Sequence, residues 1–244
     1  MISPKRDPVM PLTGHLEELR TRLIISAVAV LITTTLAFVF SDQLIEILKA
    51  PGGATSAKLY VFSPMDGFFV KWRVALLAGL SLASPVWAYQ LLAFVAPGLT
   101  EQERRVIMPL VGVGFGLFAL GAAFGYYLLY GMINVLIALF GPQLNYFPSA
   151  DAYISFVLFF LLSTGIAFEL PIILYALVRL RILSTDLLRK QRRYFYFAMF
   201  VFAEIITPVS DPIIAPLTIT VPLVLLYEIT LIVARWGERQ KALR

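Results

Sequence analysis

The chain alternates between long apolar stretches and short segments that carry almost all of its charges. A helix that crosses about 30 Å of hydrocarbon needs roughly 20 apolar residues in succession. Six stretches approach or exceed that length with at most one charged residue each: 23–40, 74–100, 106–150, 152–178, 194–207 and 212–234. The pattern therefore predicts an all-α protein that passes through a membrane several times.

The distribution of basic residues decides how many times the chain crosses. The stretch 106–150 is too long for one helix, so it is either one span followed by an outer loop or two spans. Cytoplasmic loops carry an excess of Lys and Arg. With six spans, sixteen of the 20 Lys and Arg fall on the side of the two termini. A seventh span would place the last ten Lys and Arg on the opposite side of the membrane. Six spans with both termini in the cytoplasm is the preferred interpretation.

We expect a single integral membrane domain over residues 1–244. The expected spans are 22–41, 68–93, 105–130, 152–178, 194–208 and 212–234, and the expected external segments are 42–67 and 131–151. The apolar part of the second external segment, 133–140, should form a short interfacial helix. From Tyr194 to Thr207 the fifth span measures only roughly 21 Å. The last two helices should therefore form a short hairpin that either thins the bilayer or is shielded by a partner.

Composition narrows the functional classes. Hydrophobic residues make up 59% of the chain and charged residues 14%, with a mean hydropathy of +0.84, which excludes disorder and an ordinary cytosolic enzyme. With no Cys and one His, a thiolate metal site, a cysteine nucleophile and a histidine-rich zinc site are excluded. No catalytic motif such as HExxH or a Walker loop occurs. We therefore expect no enzyme activity, cofactor or metal, and topology explains the basic residues without nucleic acid.

Ionisable groups inside the apolar stretches are candidates for function, because they are costly there. Glu169 lies well inside the fourth span and is followed by Pro171. A functional carboxylate is favoured at this position over a protonated carboxyl that bonds to a neighbouring helix. Glu204 is close to the external end of the short fifth span. A functional role and a side chain that only snorkels to the interface are about equally favoured there.

The acidic residues outside the apolar stretches have structural explanations from spacing alone. Glu18 and Arg22 stand four residues apart and can form a salt bridge along the helix that precedes the first span. Glu103 fits a capping box at the start of the third span. Asp211 before Pro212 fits a helix N-cap with proline at the first helical position. Local spacing alone therefore favours structural roles for these three acids.

The ordered set of motifs resembles the TatC family, the receptor subunit of twin-arginine protein translocation. The resemblance covers about residues 11–236. It rests on HLEELR at 15–20, AP at 50–51, SPV at 84–86, FVAP at 94–97, ERR at 103–105, YISF at 153–156, FELP at 168–171, TP at 207–208, DP at 211–212 and LYE at 226–228. The order of these motifs on six spans makes the resemblance specific.

The resemblance implies a receptor for signal peptides that carry two adjacent arginines, in a translocase that exports folded proteins with the proton-motive force. Glu18 and Glu103 would bind the arginine pair, and Arg20 would help to shape the site. Guanidinium groups pair with carboxylates in a bidentate fork that lysine cannot reproduce. Glu169 would face a concave groove, open to the membrane, in which the apolar part of the peptide lies.

The resemblance also implies single-span partners of the TatA and TatB kind and a location in the cytoplasmic (inner) membrane. Thr207 matches a polar cluster that docks a partner helix in the family, and Glu204 would supply polarity that the sixth helix lacks. The lipid bilayer and further copies of the chain are other expected contacts. The matching motifs mark five more positions as structural or functional: Pro51, Pro85, Phe94, Tyr153 and Asp211.

Two further expectations concern the outer end of the molecule and the rival function. Pro51 and the external segments 52–65 and 131–150 should form a cap over the outer end. The rival interpretation is a proton-coupled secondary transporter with Glu169 as its proton carrier. The sequence shows no internal repeat, which argues against it. An enclosed, water-lined cavity at the midplane would favour the transporter, whereas a groove that faces lipid would favour the receptor.

Overall fold

The computed structural model describes residues 12–56, 58–95, 101–138, 147–207 and 213–242. Among these residues the only β pairing is an isolated bridge between Tyr60 and Ser149. The α-helices are α1 (Leu12–Val39), α2 (Ser41–Lys49), α3 (Gly53–Ser56), α4 (Asp66–Leu82), α5 (Ser84–Val95), α6 (Glu101–Ile107), α7 (Leu110–Ala138), α8 (Ala150–Arg179), α9 (Thr185–Lys190), α10 (Arg192–Ile206) and α11 (Ile214–Ala242). The all-α prediction is confirmed.

Several of these helices are long and apolar enough to cross a membrane. In the described part of the chain they are α1, α7, α8 and α11, and the bent pair of α4 and α5 counts as a fifth span by length and composition. α10 has 15 residues, about 22 Å of helix, which is short of the roughly 30 Å hydrocarbon core. The multi-pass prediction and the short fifth helix are confirmed, and the exact count of six spans stays a prediction.

The second expected span, 68–93, is broken rather than continuous. α4 and α5 meet at Ala83 with a bend of 52° between them. Pro85 has no N–H group to donate to the carbonyl one turn earlier, so the ladder of helical hydrogen bonds is interrupted here. Trp87 Nε1 donates to Leu80 O across the break at 3.1 Å. Pro85 therefore has a structural role as the residue that allows this bend.

The third expected span, 105–130, and the interfacial helix expected at 133–140 belong to one element. α7 continues without a break past position 130 to its end at Ala138, so the prediction of a separate interfacial helix is wrong. The physical reason is burial, because Met132 and Ile133 pack into the core and hold this part of the chain in line with α7. The part of the expectation after Ala138 lies outside the described residues.

The sixth expected span, 212–234, does not form a short helix. α11 has 29 residues, and Pro222 lies within it without ending it. The apolar part alone, Ala215–Trp236, has 22 residues, which is enough to cross a membrane. The prediction that both helices of the last hairpin are short is therefore wrong for the sixth. The helix extends beyond the apolar stretch because the basic segment that follows consists largely of good helix formers.

α8 is the central helix of the fold. It packs against α4, α7 and α11, whereas α1 packs against α4 and α5, and α10 packs against α11. Ile154, Val157 and Phe160 of α8 are fully buried. A helix that is covered on several sides by other helices has little freedom to tilt. α8 therefore holds its own side chains in fixed positions against α4, α7 and α11.

Glycines of α7 allow α7 and α8 to approach closely. A Cβ added at Gly121 would lie 2.7 Å from Phe168 Cβ and from Thr164 O, and one added at Gly125 would collide with Thr164 Oγ1. The interface therefore has no room for a methyl group at either glycine. Small residues at such contacts are typical of membrane proteins, in which helices associate by close packing because lipid supplies no hydrophobic driving force.

Replacing Gly121 by Ala should destabilise the protein by about 1–3 kcal/mol, the usual cost of overpacking. The added methyl group would have to displace the backbone or side chain of α8. The measurement is the Tm of the purified protein in detergent. Gly116→Ala is the matched control on the same helix, because a Cβ at Gly116 meets nothing within 4 Å. Equal Tm values for the two variants would contradict this account of the interface.

Candidate functional site

Glu18 is the centre of a polar cluster that joins the first turns of α1 to the last turns of α5. Arg22, one turn later on α1, donates to Glu18 Oε1 through Nε at 3.0 Å and through Nη2 at 2.5 Å. Its third nitrogen, Nη1, donates to Gln90 Oε1 of α5 at 3.1 Å. The salt bridge favoured from spacing is therefore confirmed, and Gln90 extends it to a second helix.

The second oxygen of Glu18, Oε2, has different surroundings from Oε1. Oε2 is buried and has no hydrogen-bond partner among the described residues. His15 Nδ1 is 3.7 Å away, which is longer than an ordinary hydrogen bond. The His15 ring stacks on Phe94 of α5, with the ring centroids 4.2 Å apart and 13° between the planes. The cluster therefore holds one carboxylate oxygen that accepts no hydrogen bond from the described residues and has the His15 ring 3.7 Å away, and it gives Phe94 a defined contact.

No pattern in the sequence points to Gln90 or to the contact between His15 and Phe94. The available signal for Gln90 is weak: a single amide side chain in the apolar stretch 74–100. Arg22 is 68 positions away from it, so no local pattern connects the two. His15 meets Phe94 in the same way, through the packing of α1 against α5. Both contacts depend on tertiary structure.

The other two residues expected at this end have no described contact with Glu18. Arg20 is exposed on α1 and takes part in no ion pair among the described residues. Glu103 lies on α6, and its side chain is outside the described part of the structure. α6 begins at Glu101, which agrees with the helix start that the capping-box pattern predicts. The roles of Arg20 and Glu103 stay predictions.

Glu169 lies ten residues before the end of α8, about 15 Å along the helix. It faces α7, because a Cβ added at Gly114 would lie 3.0 Å from Glu169 Oε2. The side chain is half-buried, and no hydrogen bond or ion pair among the described residues includes it. The alternative of a carboxyl that bonds to a neighbouring helix gains no support from these contacts. No cluster of His, Asp or Glu in the described ranges is arranged to hold a metal ion.

An apolar cavity of about 210 Å³ lies between α2, α4, α7 and α8. Phe118 of α7 lines it and also contacts Gly165 of α8, one helical turn from the contact between Glu169 and Gly114. Ser81 is the polar residue in its lining, and the rest are apolar. Such walls suit apolar side chains. The cavity is therefore not the water-lined space that the rival transporter interpretation requires.

The expected docking residues at the end of α10 differ in their surroundings. Thr207 is 5% exposed, and its hydroxyl donates to Ala203 O at 2.6 Å. Glu204 is exposed, as is Ile205 beside it. The hydroxyl of Thr207 is thus satisfied by its own helix, whereas the carboxylate of Glu204 is on the surface. Asp211 lies outside the described residues.

Pro51 lies in a turn at the end of α2 that two other helices hold in place. Tyr153 OH of α8 donates to Leu48 O and Lys49 O, at 3.3 Å each. Tyr126 OH of α7 donates to Ile47 O at 2.8 Å. The last carbonyls of a helix lack partners in its regular ladder. Here Ala50 N and Ser56 Oγ donate to two of them, and the tyrosine hydroxyls add bonds from α7 and α8. Pro51 and Tyr153 thereby belong to one bonded unit at the end of the fold where α2 ends and α8 begins.

The two external segments expected to form a cap meet through their backbones. Tyr60 N donates to Pro148 O at 2.9 Å, and Ala150 N donates to Tyr60 O at 2.8 Å. The rings of Tyr60 and Phe147 also meet edge to face, with centroids 5.8 Å apart. The described parts of both segments are therefore joined to each other, whereas their place outside the membrane stays a prediction.

Glu228 of α11 is a carboxylate whose two oxygens both have partners. Arg192 Nη2 is 2.9 Å from Oε2, and Tyr196 OH donates to Oε1. Both partners lie on α10, so the cluster joins α10 to α11. The neighbouring Tyr227 OH donates to Leu188 O at 2.8 Å and adds α9 to the same assembly. Glu228 therefore has a complete structural explanation.

Comparisons with known proteins agree on one family. A family model described as Sec-independent protein translocase protein (TatC) matches residues 14–222. The Sec-independent protein translocase protein TatC of Aquifex aeolicus is 40% identical over 238 residues, which cover 95% of this chain and 98% of that protein. The TatC protein of Deinococcus radiodurans is 38% identical over 235 residues, which cover 92% of this chain and 86% of the relative.

Solved structures agree with the sequence matches. A crystal structure of the twin-arginine translocase receptor TatC has a TM-score of 0.72 and 38% identity, and covers 92% of this chain and 99% of that one. A crystal structure of the receptor TatC in DDM has a TM-score of 0.73 and 37% identity, with 90% and 99% coverage. The similarity thus extends over nearly the whole fold. Nothing in these matches supports the secondary transporter.

Replacing Tyr153 by Phe removes the hydroxyl that bonds to the last carbonyls of α2. Amide exchange in segment 50–56 should become faster by roughly two- to tenfold, because one hydrogen bond is worth about 0.5–1.5 kcal/mol. Hydrogen–deuterium exchange with mass spectrometry, in detergent, measures this. Tyr127→Phe is the control, since Tyr127 is 75% exposed on α7. Exchange that is unchanged by Tyr153→Phe would contradict the role assigned to its hydroxyl.

Proposed function

The chain belongs to the TatC family, and from this premise we propose that it is the receptor for twin-arginine signal peptides in a Sec-independent protein translocase. In this role it takes part in the export of folded proteins, driven by the proton-motive force. The observation that carries the proposal is the Glu18 carboxylate, one oxygen of which accepts no hydrogen bond from the described residues, with His15 Nδ1 3.7 Å away. A guanidinium group suits that oxygen, because it presents several N–H donors in a fixed plane.

The proposed setting is the cytoplasmic (inner) membrane, with six spans in one domain and both termini in the cytoplasm. The excess of Lys and Arg on the side of the termini supports this orientation. Glu18, Arg22 and Gln90 then lie at the cytoplasmic surface, where a signal peptide arrives before its cargo is exported. The tyrosine-capped end of α2 and the joined segments 42–67 and 131–151 then lie outside.

The arginine pair of the peptide would be shared between Glu18 and Glu103, with Arg20 nearby on α1. Chain order supports this arrangement, because only five residues separate the end of α5 from α6, which carries Glu103. α5 also carries Gln90 and so belongs to the Glu18 cluster. Glu18 is thus on α1, which contacts α5, and Glu103 is on α6, which follows α5 in the chain.

The apolar part of the signal peptide would lie beside Glu169. The contact between Glu169 and Gly114 is one helical turn from the apolar cavity, whose walls come from α2, α4, α7 and α8. An apolar peptide segment that leaves the Glu18 cluster could therefore reach apolar surface without leaving the membrane. The unpaired carboxyl of Glu169 would then be available for a polar group of the peptide or for a proton.

We place single-span partners of the TatA and TatB kind against α10. This helix is too short to cover the hydrocarbon core alone, so a partner span would shield its ends. Four of its exposed residues are large, apolar and at helical spacing: Tyr194, Phe197, Val201 and Ile205, and the exposed Arg193 and Ala198 lie beside them. Glu204, also exposed, would add a polar contact near Thr207. Around the rest of the molecule, the exposed apolar side chains of α1 and α7 suit contact with lipid.

Glu18→Ala should weaken binding of a labelled twin-arginine signal peptide by roughly tenfold or more, because a charge-assisted pair is lost. Fluorescence anisotropy with the purified protein in detergent gives the Kd. Glu17→Ala is the matched control: Glu17 is the exposed neighbour of Glu18, and its side chain has no described partner. The proposal fails if both variants bind the peptide as tightly as the unmodified protein does.

A further inference from the structure

Arg22 is held by acceptors on two different helices. A free guanidinium that meets a carboxylate usually places two nitrogens on its two oxygens. Here Nε and Nη2 both donate to Glu18 Oε1, while Nη1 donates to Gln90 Oε1 of α5. When Arg22 donates to Gln90, it therefore donates to only one oxygen of Glu18, Oε1, and makes no hydrogen bond to Oε2.

Glu228 provides the comparison within the same molecule. Its two oxygens are both occupied, Oε2 by Arg192 and Oε1 by Tyr196. Glu18 has as many donors, yet both are on Oε1, and Oε2 is buried without a hydrogen bond in the described part of the chain. A buried acceptor without a partner is costly. An N–H donor that gained access to Oε2 beside His15 would remove that cost, and a ligand guanidinium carries such donors.

We propose that Gln90 is a positioning residue of the receptor site: it holds Arg22 on one oxygen of Glu18, so that the other oxygen stays free for a guanidinium of the signal peptide. This inference rests on the proposed function. Arg22 is the internal competitor of the peptide, because it carries the same group on the same carboxylate. Gln90 weakens that competition by engaging the third nitrogen of Arg22.

The chemistry of glutamine suits this task. Its amide oxygen accepts one hydrogen bond from Arg22 and brings no charge of its own. A carboxylate at position 90 would bind Arg22 more strongly, but it would also offer the peptide a second anion beside Glu18. An apolar residue would leave Nη1 without an acceptor, and Arg22 would then turn so that its fork covers both oxygens of Glu18.

The test compares peptide affinities of the full chain in detergent. Gln90→Leu should raise the Kd for a labelled twin-arginine peptide by roughly three- to tenfold, because Arg22 closes over Oε2. The double variant Gln90→Leu/Arg22→Gln should recover the affinity, because it also removes the competitor. Recovery is the informative readout, since a residue that only supports the fold would not be rescued by a second substitution next to it.

Two further variants keep the test informative. Gln90→Asn keeps the amide but shortens the side chain by one methylene, so it should also weaken binding, and it replaces Gln90→Leu if that variant does not fold. Gln43→Leu is the matched control, since Gln43 is exposed on α2 and far along the chain from the cluster. Tm values confirm that each variant is folded.

The outcomes separate this inference from the proposed function. Loss of binding in Gln90→Leu and recovery in the double variant support the inference. If Glu18→Ala abolishes binding while both Gln90→Leu and Gln90→Asn bind normally, the receptor site stands and the role of Gln90 is wrong. If the double variant binds as weakly as Gln90→Leu, Gln90 acts by another route and the competition account is wrong. If Glu18→Ala has no effect, the proposed function itself fails.

Discussion

A carboxylate close to the apolar part of a membrane needs a partner, because its charge is poorly solvated there. The three carboxylates of this chain with the most informative surroundings meet that requirement to different degrees. Glu228 has a partner on each oxygen, Glu18 has both donors on one oxygen, and Glu169 has none among the described residues. Complete pairing marks a structural contact between helices. Incomplete pairing marks the places where a signal peptide would supply the missing group.

The fold could be predicted from the sequence where long apolar runs decided it. The runs that form α1, α8 and α11 are predicted correctly, since apolar runs of about 20 residues leave few alternatives. Three features were not predicted. The break at Ala83 has a local signal in Pro85, but proline alone does not say whether a span bends or ends. The continuation of α7 to Ala138 depends on the burial of Met132 and Ile133. The length of α11 exceeded its apolar run, because helix propensity continues into the basic tail.

The site was predictable only in its local parts. Glu18 and Arg22 are one helical turn apart, so spacing alone predicted their ion pair. Spacing also favoured a purely structural role for Glu18, and the family resemblance was needed to suggest a ligand. The contact of Arg22 with Gln90 joins helices that are distant in sequence, and it occurs together with the oxygen of Glu18 that accepts no hydrogen bond from the described residues. No local pattern reports which oxygen of a carboxylate is used.

If Glu18 binds the arginine pair, it should recognise the guanidinium group itself and not positive charge in general. A double-mutant cycle between the protein and the peptide measures this. It uses the affinities of the unmodified protein and of Glu18→Gln for twin-arginine and twin-lysine signal peptides. We expect a clear preference for arginine in the unmodified protein that largely disappears in Glu18→Gln. An equal preference for arginine in both proteins would show that Glu18 does not read the guanidinium group.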